Sequence, residues 1–156
     1  MALLLSTGFA EEKTGAGTTA SAEKNSHLVK QLHGWTVHVN RELITTFPEA
    51  TTKALELLAN QLQQINKVVP SKALVVLHGV PLWLNPKHAT VDVARAEYHP
   101  SAVWLKEHRR DPLMAKSVEF TNVLIFEKEV RRMPMFVLHE LAHAYHDGVL
   151  GYKNEE

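Results

Sequence analysis

The sequence of 156 residues contains no cysteine. Without thiols the chain cannot form a disulfide framework, a cysteine nucleophile, an iron–sulfur cluster or a thiolate zinc site. It also lacks any run of about 18 apolar residues, the length that a membrane-spanning helix requires, so we expect no membrane span. An excess of charge is absent too, because 17 basic residues balance 17 acidic ones. This balance gives no reason to expect a nucleic-acid partner.

Histidine, by contrast, is abundant, with ten residues in the chain. Any metal chemistry must therefore use imidazole and carboxylate groups. The apolar fraction of 45% and the charged fraction of 22% are those of an ordinary globular protein. The length corresponds to one domain, which can bury a sizeable core without disulfides.

The first 27 residues differ in composition from the rest. Residues 1–10 contain a short apolar run followed by small residues, and we interpret them as the remnant of a signal peptide. Residues 11–27 are rich in Gly, Thr, Ala and Ser, which is typical of a flexible leader. The folded domain is then residues 28–156. We expect an exported protein, either periplasmic or secreted.

The middle of the chain predicts an α+β fold. Residues 35–39 alternate apolar and polar side chains, which indicates a half-buried strand. Pro48 begins an amphipathic pattern that predicts a long helix to about residue 67. The apolar run 73–77 predicts a central strand. Residues 81–84 either extend that strand or form a separate short one.

Two further segments complete the predicted small mixed sheet. Residues 98–112 mix aromatic, charged and proline residues, so we expect an ordered loop with a short strand or helical turn. Residues 117–126 alternate and then become continuously apolar, which predicts another strand. A final helix is predicted to begin at Pro134 and to end at Gly148.

That final helix carries a His-Glu-x-x-His motif. His139 and His143 lie four residues apart, so their imidazoles share one helical face about 6 Å apart and can bind one zinc ion. Glu140 lies about 100° around the helix, where it can act as the general base for a metal-bound water. A chain of this composition yields roughly 0.06 chance matches to the motif. Because the neighbouring residues are uncharged, we expect the helix to be buried nearly all round.

The motif supplies two of the three protein ligands that a catalytic zinc normally has. A metzincin would continue with glycine at position 146 and histidine at position 149, whereas this chain has His146 and Val149. His146 lies about 10 Å along the helix axis from His139, too far for both to reach one ion together with His143. Further alternatives for the third ligand are Asp147, Glu155 and Glu156.

The sequence His-Glu-Leu-Ala-His-Ala-Tyr-His at residues 139–146 resembles the active helix of a group of secreted bacterial zincins. That group is similar to the catalytic domain of anthrax lethal factor. Residues 34–37, 98–105 and 118–122 also resemble it, so the similarity covers roughly residues 34–151. The resemblance implies a zincin-like fold of the gluzincin type with one zinc ion.

In such proteins a glutamate on a later helix is the third ligand, and a downstream tyrosine stabilises the oxyanion. We therefore expect both beyond Glu156, and we expect residues 28–156 to be the N-terminal part of the domain. The resemblance also implies that an edge strand lies over the cleft and pairs with an extended peptide substrate. Residues 117–126 or the strand after Tyr98 are the two alternatives for that edge.

The resulting expectation is a zinc metalloendopeptidase acting on a peptide or protein, with Glu140 as the catalytic base. The alternative is an inactive or incomplete zincin-fold fragment that binds peptides or proteins. Peptide deformylase shares the motif but uses a cysteine ligand, which this chain lacks. The remaining residues that could bear on function are interpreted as structural: Tyr98 and His99 as part of a turn, the Arg109–Arg110 pair as solvated, and His33, His38, His78, His88 and His108 as surface or satisfied core residues.

Overall fold

The computed structural model describes residues 26–89 and 92–151. The interpretation of residues 1–10 as a signal remnant, and most of the predicted leader, lie outside this part of the chain. His27, the last residue of that leader, begins the first strand. The strands are β1 His27–Leu32, β2 Trp35–Asn40, β3 Leu82–Leu84, β4 Ala96–His99 and β5 Ser117–Phe120. The helices are α1 Arg41–Thr46, α2 Pro48–Val68, α3 Ser71–Leu77, α4 Ala102–Glu107, α5 Phe126–Arg132 and α6 Phe136–Tyr145.

The strands form a five-stranded sheet in the order β1-β2-β3-β5-β4. β1 and β2 are an antiparallel hairpin, β2, β3 and β5 are mutually parallel, and β4 runs antiparallel to β5. The expected α+β class and mixed sheet are therefore confirmed. The suggestion that residues 117–126 form the edge is wrong, because β5 pairs on both sides. The strand that contains Tyr98, β4, is one of the two edges of the sheet, and β1 is the other.

The predicted strand and long helix that precede β3 are both confirmed. In β2, Trp35, Val37 and Val39 are buried while the intervening residues are half-buried, as the alternation requires. In α2 the buried residues recur at helical spacing along one side of the helix. Pro48 occupies the first turn of α2, and the extended residue Val69 ends it just before Pro70.

Residues 73–77, predicted as a strand, belong instead to helix α3. Only Leu77 in this helix is buried, and Val75 is 76% exposed. A central strand would bury side chains on both of its faces, which this segment does not do. Its β-branched residues favoured a strand, but the tertiary packing of the segment determines its helical structure. Residues 82–84 form the separate strand β3, which was one of the two alternatives.

The strand predicted over residues 117–126 ends at Phe120. The chain then forms a 3₁₀ turn, Val123–Ile125, and the unpredicted helix α5. Only residues 117–120 alternate between the two faces of the sheet. The later apolar residues Val123 and Phe126 belong to the turn and the helix, and from there they pack into the main core. The segment after Tyr98 supplies helix α4 and a 3₁₀ turn, Pro112–Met114, consistent with the expected ordered loop.

Helix α6 begins at Phe136, two residues after the predicted start at Pro134. Gly148 does not end it, because the chain continues through a π-helical turn, His146–Leu150. The end falls at Gly151, where φ is +73° and the amide donates to the His146 carbonyl at 2.8 Å. Glycine adopts this left-handed conformation without steric cost, which explains its place at the helix end.

The two faces of the sheet are packed differently. The main core lies between one face and helices α2, α5 and α6, and it includes Leu82, Val118 and Phe120 from the sheet. On the opposite face a small apolar cluster consists of Trp83, Leu105 and Met114. Within the described ranges, no helix is long and apolar enough to span a membrane.

Candidate metal centre

Helix α6 holds the motif against the sheet through one buried face. Phe136, Val137, Leu141 and Ala144 are buried, and the helix packs against α2, β4 and β5. His139 and His143 lie on the opposite, exposed face. The expectation that this helix is buried nearly all round is therefore wrong. A helix without charged residues can still expose one face to solvent. Here Ala142 lies on the exposed face.

The two histidines of the motif converge. Their Nε2 atoms are 3.2 Å apart, and the rings are nearly perpendicular, at 86°. Two nitrogens that each bind a tetrahedral zinc at about 2.0–2.1 Å are necessarily about 3.3 Å from one another. The observed separation is compatible with two ligands of one ion, and it is also that of a hydrogen bond between the two imidazoles. The chemistry of this donor pair, two imidazoles, also suits zinc.

Glu140 lies between the histidine pair and the sheet edge. Its Oε2 atom accepts a hydrogen bond from the backbone amide of Tyr98 at 3.1 Å. Burial raises the pKa of Glu140, while the Tyr98 amide and the charges of His139 and His143 oppose this effect. A carboxylate with a raised pKa holds a proton more readily near neutral pH, as a general base must.

The structure does not bring a third ligand to this pair from the residues that it describes. His146 is exposed in the π-helical turn. Asp147 is engaged elsewhere, because its Oδ2 atom accepts hydrogen bonds from Lys116 Nζ and Tyr98 Oη, both at 2.6 Å. The bond from Lys116 is the main cause that lowers the pKa of Asp147. Glu155 and Glu156 lie outside the described residues.

A buried polar cluster that sequence reasoning missed lies on the opposite face of the sheet, around Glu119. Oε1 of Glu119 accepts from His88 Nε2 at 3.0 Å and from Asn85 Nδ2 at 2.7 Å. Oε2 is 2.9 Å from His99 Nε2 and 3.4 Å from an Arg110 nitrogen. Burial raises the pKa of Glu119, but the hydrogen bonds from His88, His99 and Asn85 together hold it well below its usual range.

Arg110 belongs to this cluster, so the prediction that it is a solvated charge is wrong. It is buried, and it also bonds Glu97 at 2.9 Å. His88 and His99 each have a carboxylate partner, which agrees with a structural role, but the prediction of a turn at Tyr98 and His99 is wrong because both residues belong to strand β4. The sequence did contain one indication of this cluster, the single carboxylate within the otherwise uncharged strand 117–120. A charge in a buried strand requires polar partners. Its partners come from three separate loops or strand ends, and no local pattern identifies them.

No protein-family model, curated protein or solved structure matches this chain. The expected resemblance to zincins therefore stays a prediction from the motif and from the segments that resemble that group. What the site can do follows from its geometry.

Proposed function

We propose that this protein is a zinc-dependent metallopeptidase, in which His139 and His143 bind one zinc ion and Glu140 is the general base. The observation that carries the proposal is the 3.2 Å separation of the two Nε2 atoms on one helical face. The half-buried carboxylate beside them, with its raised pKa, supports the same chemistry. When bound, zinc supplies a Lewis acid that activates water and polarises the scissile carbonyl.

Glu140 is suited to move the proton in this reaction. Its Oε2 atom is held by the Tyr98 amide, which leaves Oε1 to take a proton from the attacking water. The same carboxyl group then returns the proton to the departing amine. Partial burial increases the proton affinity of the carboxylate, so Glu140 takes a proton from water more readily than a fully solvated glutamate would.

The edge strand β4 is the proposed platform for an extended peptide. β4 pairs with β5 on one side only, and it packs against α6. Because the Tyr98 amide donates to Glu140, the backbone groups of β4 that face away from β5 lie beside the catalytic base. A peptide that adds to this edge would place its backbone along the motif helix. The substrate class is therefore a peptide or protein segment in extended conformation, and the first ten residues support export.

The test is zinc binding by calorimetry together with peptide hydrolysis followed by mass spectrometry. We expect the unmutated chain to bind one zinc ion through His139 and His143 and to cleave peptides once a third ligand completes the site. His143→Ala should weaken zinc binding by more than about 100-fold, beyond the loss caused by removing a hydrogen-bond partner of a ligand. Glu140→Gln should retain zinc while hydrolysis falls by about 10²–10⁴-fold.

His146→Ala is the matched control, because it removes an exposed histidine three residues after His143. This variant should bind zinc and cleave peptides as the unmutated chain does. Zinc affinity that is unchanged in His143→Ala would contradict the proposed ligands. Hydrolysis that survives Glu140→Gln would contradict the assigned base.

The second candidate is a zincin-fold module that binds peptides without cleaving them. The absence of a third histidine or carboxylate ligand from the described ranges favours it. It predicts that the unmutated chain and Glu140→Gln bind an extended peptide with equal affinity and that neither yields products.

A further inference from the structure

A cavity of about 560 Å³ lies beside the Glu119 cluster and includes His88 and Arg110 in its wall. None of the described residues that line it belongs to α6 or β4, so it is separate from the proposed zinc site. Its volume is within the range of small-molecule sites. Ser26 and His27 form another part of the wall, and both are partly exposed, so a molecule in the cavity can reach their side chains.

A continuous chain of hydrogen bonds runs from Ser26 into the protein. Oγ of Ser26 is 2.8 Å from Nδ1 of His27, whose Nε2 atom is 2.7 Å from Oδ1 of Asn85. Nδ2 of Asn85 in turn donates to Oε1 of Glu119 at 2.7 Å. A hydroxyl, an imidazole and an amide oxygen in this order can serve as the nucleophile, the base and the group that orients the base.

The direction of each hydrogen bond in this chain follows from Glu119. The pKa of Glu119 is held well below its usual range, so its carboxylate is an acceptor and Asn85 presents Nδ2 to it. Oδ1 of Asn85 therefore faces His27 and accepts the proton of Nε2. In a neutral imidazole the other nitrogen carries a lone pair, so Nδ1 accepts the hydroxyl proton of Ser26. The buried carboxylate thus orients His27 as a base toward Ser26.

The sheet holds the nucleophile and the base in place. Ser26 directly precedes β1, and its carbonyl accepts from the Arg41 amide at 2.8 Å, which extends the β1–β2 pairing. The His27 ring contacts Trp83 edge to face, with 4.9 Å between the ring centroids. Side chains supported by a sheet keep their relative geometry better than side chains on a loop.

Asn40 supplies a hydrogen-bond donor beside this pair. It stands opposite His27 in the β1–β2 ladder and lines the same cavity. Its Oδ1 atom accepts from the Glu42 amide at 2.9 Å and so caps α1, which fixes the orientation of the carboxamide. Within the part of the chain that the structure describes, its Nδ2 atom has no acceptor. An amide donor near a nucleophile can stabilise the oxyanion that forms when a carbonyl is attacked.

We propose that this cavity is a hydrolytic site, independent of zinc, that cleaves small carboxylic esters with Ser26 as the nucleophile. Oγ of Ser26 attacks the ester carbonyl carbon while its proton moves to Nδ1 of His27, and Nδ2 of Asn40 donates to the oxyanion. The bond from this carbon to the alcohol oxygen then breaks, and His27 gives the proton to the departing alkoxide. Water attacks the acyl-serine in the same way, which releases the carboxylic acid and restores Ser26 and His27.

The substrate class follows from the group that orients the base. Asn85 is neutral, so it stabilises the imidazolium that forms on His27 less than a carboxylate in direct contact would. The reaction is therefore suited to esters, because an alkoxide departs more readily than the nitrogen of an amide.

Hydrolysis of p-nitrophenyl acetate by the full chain tests the proposal. The assay contains excess EDTA, so that zinc-dependent hydrolysis does not contribute and the result is independent of the proposed peptidase. We expect saturable release of p-nitrophenol with an initial burst, and mass spectrometry should find an acetyl group on Ser26. Ser26→Ala should lose this adduct, and its hydrolysis should be slower by about 10²–10⁴-fold.

Two further variants complete the test. Ser71→Ala is the matched control, because Ser71 is exposed and does not cap α3, and it should hydrolyse the ester as the unmutated chain does. Asn40→Asp keeps an oxygen that caps α1 but lacks the Nδ2 donor, so hydrolysis should fall by about 10²–10³-fold.

Equal rates of hydrolysis in Ser26→Ala and the unmutated chain would overturn the proposal. Acetylation confined to lysine or histidine side chains would overturn it as well, because the ester would then react without the serine. The position of the acetyl group is determined on the unmutated chain, so a variant that fails to fold does not prevent the decision.

Discussion

Glu119 has a fully buried side chain in an interior strand, and groups from several chain segments hold its charge. His88 and Asn85 follow β3, His99 ends β4, and Arg110 follows α4. A charge in this position is tolerated only because each oxygen accepts two hydrogen bonds or ion-pair contacts. The cluster therefore ties the loops of one sheet face to β5.

Replacing Glu119 should destabilise the protein strongly. In Glu119→Leu the Arg110 guanidinium loses the buried one of its two carboxylate partners, and His88 and His99 lose their acceptor. We expect the free energy of unfolding to fall by roughly 3–5 kcal/mol, measured by urea denaturation at pH 7. Glu56→Leu is the control, because Glu56 is exposed on α2 and should change stability by less than about 0.5 kcal/mol. Similar losses in both variants would contradict this account.

The Glu119 carboxylate also makes the stability of the folded protein depend on pH. The pKa of Glu119 is lower in the folded protein than in the unfolded chain, where it is about 4.3. Its contribution to stability is therefore fully present above that value and is lost as the pH falls below it. Between pH 5 and pH 3, the melting temperature of the unmutated protein should fall more steeply than that of Glu119→Gln. Parallel slopes would show that Glu119 does not carry the acid dependence.

At the scale of elements, α2 both packs against the motif helix and caps it. Helix α6 has no side-chain cap of its own. Instead the Val137 amide, in the first turn, donates to the buried Gln61 Oε1 at 3.2 Å. The first amides of a helix have no partner within the helix, so a distant glutamine satisfies one of them.

Gln61→Met tests this cap, because methionine keeps the length and apolar stem of glutamine but lacks the amide oxygen. The buried Val137 amide would then have no acceptor. We expect a loss of about 1–2 kcal/mol in the free energy of unfolding, measured by chemical denaturation. Gln64→Met, at an exposed position on the same helix, should change stability by less than about 0.5 kcal/mol. An unchanged Gln61→Met would mean that the contact is not a cap.

At the scale of the molecule, three phenylalanines connect the sheet with its last two helices. Phe120 lies 5.9 Å from both Phe126 and Phe136, and the latter two ring centres are 4.9 Å apart. Edge-to-face contacts of this kind add to the gain from apolar burial. The cluster thus couples β5 to α5 and to the helix that carries the motif.

Phe136→Ala should therefore destabilise the whole domain. We expect a loss of about 3–5 kcal/mol, because a large buried ring is removed from a packed core. Thermal and urea unfolding should report the same loss if the domain unfolds cooperatively. Val75→Ala removes an apolar side chain that is 76% exposed, and its effect should stay below about 0.5 kcal/mol. A small effect of Phe136→Ala would place the motif helix outside the cooperative core.

Local patterns were enough to predict β2, α2 and the pairing of His139 with His143. The spacing of side chains in a strand or helix is a property of a few consecutive residues, so it can be read directly. The lack of cysteine likewise excludes thiolate chemistry whatever the fold. The zinc peptidase function itself stays a prediction from the motif and its neighbours.

Only the tertiary structure decided which strand lies at the edge, which face of the motif helix is exposed, and what holds Glu119 and Glu140. Residues 73–77 form a helix because only one side of that segment meets the core. The Tyr98 amide reaches Glu140, and Arg110 reaches Glu119, through pairings of strands and loops far apart in the chain. Such contacts depend on the simultaneous packing of all elements, which a local pattern does not encode.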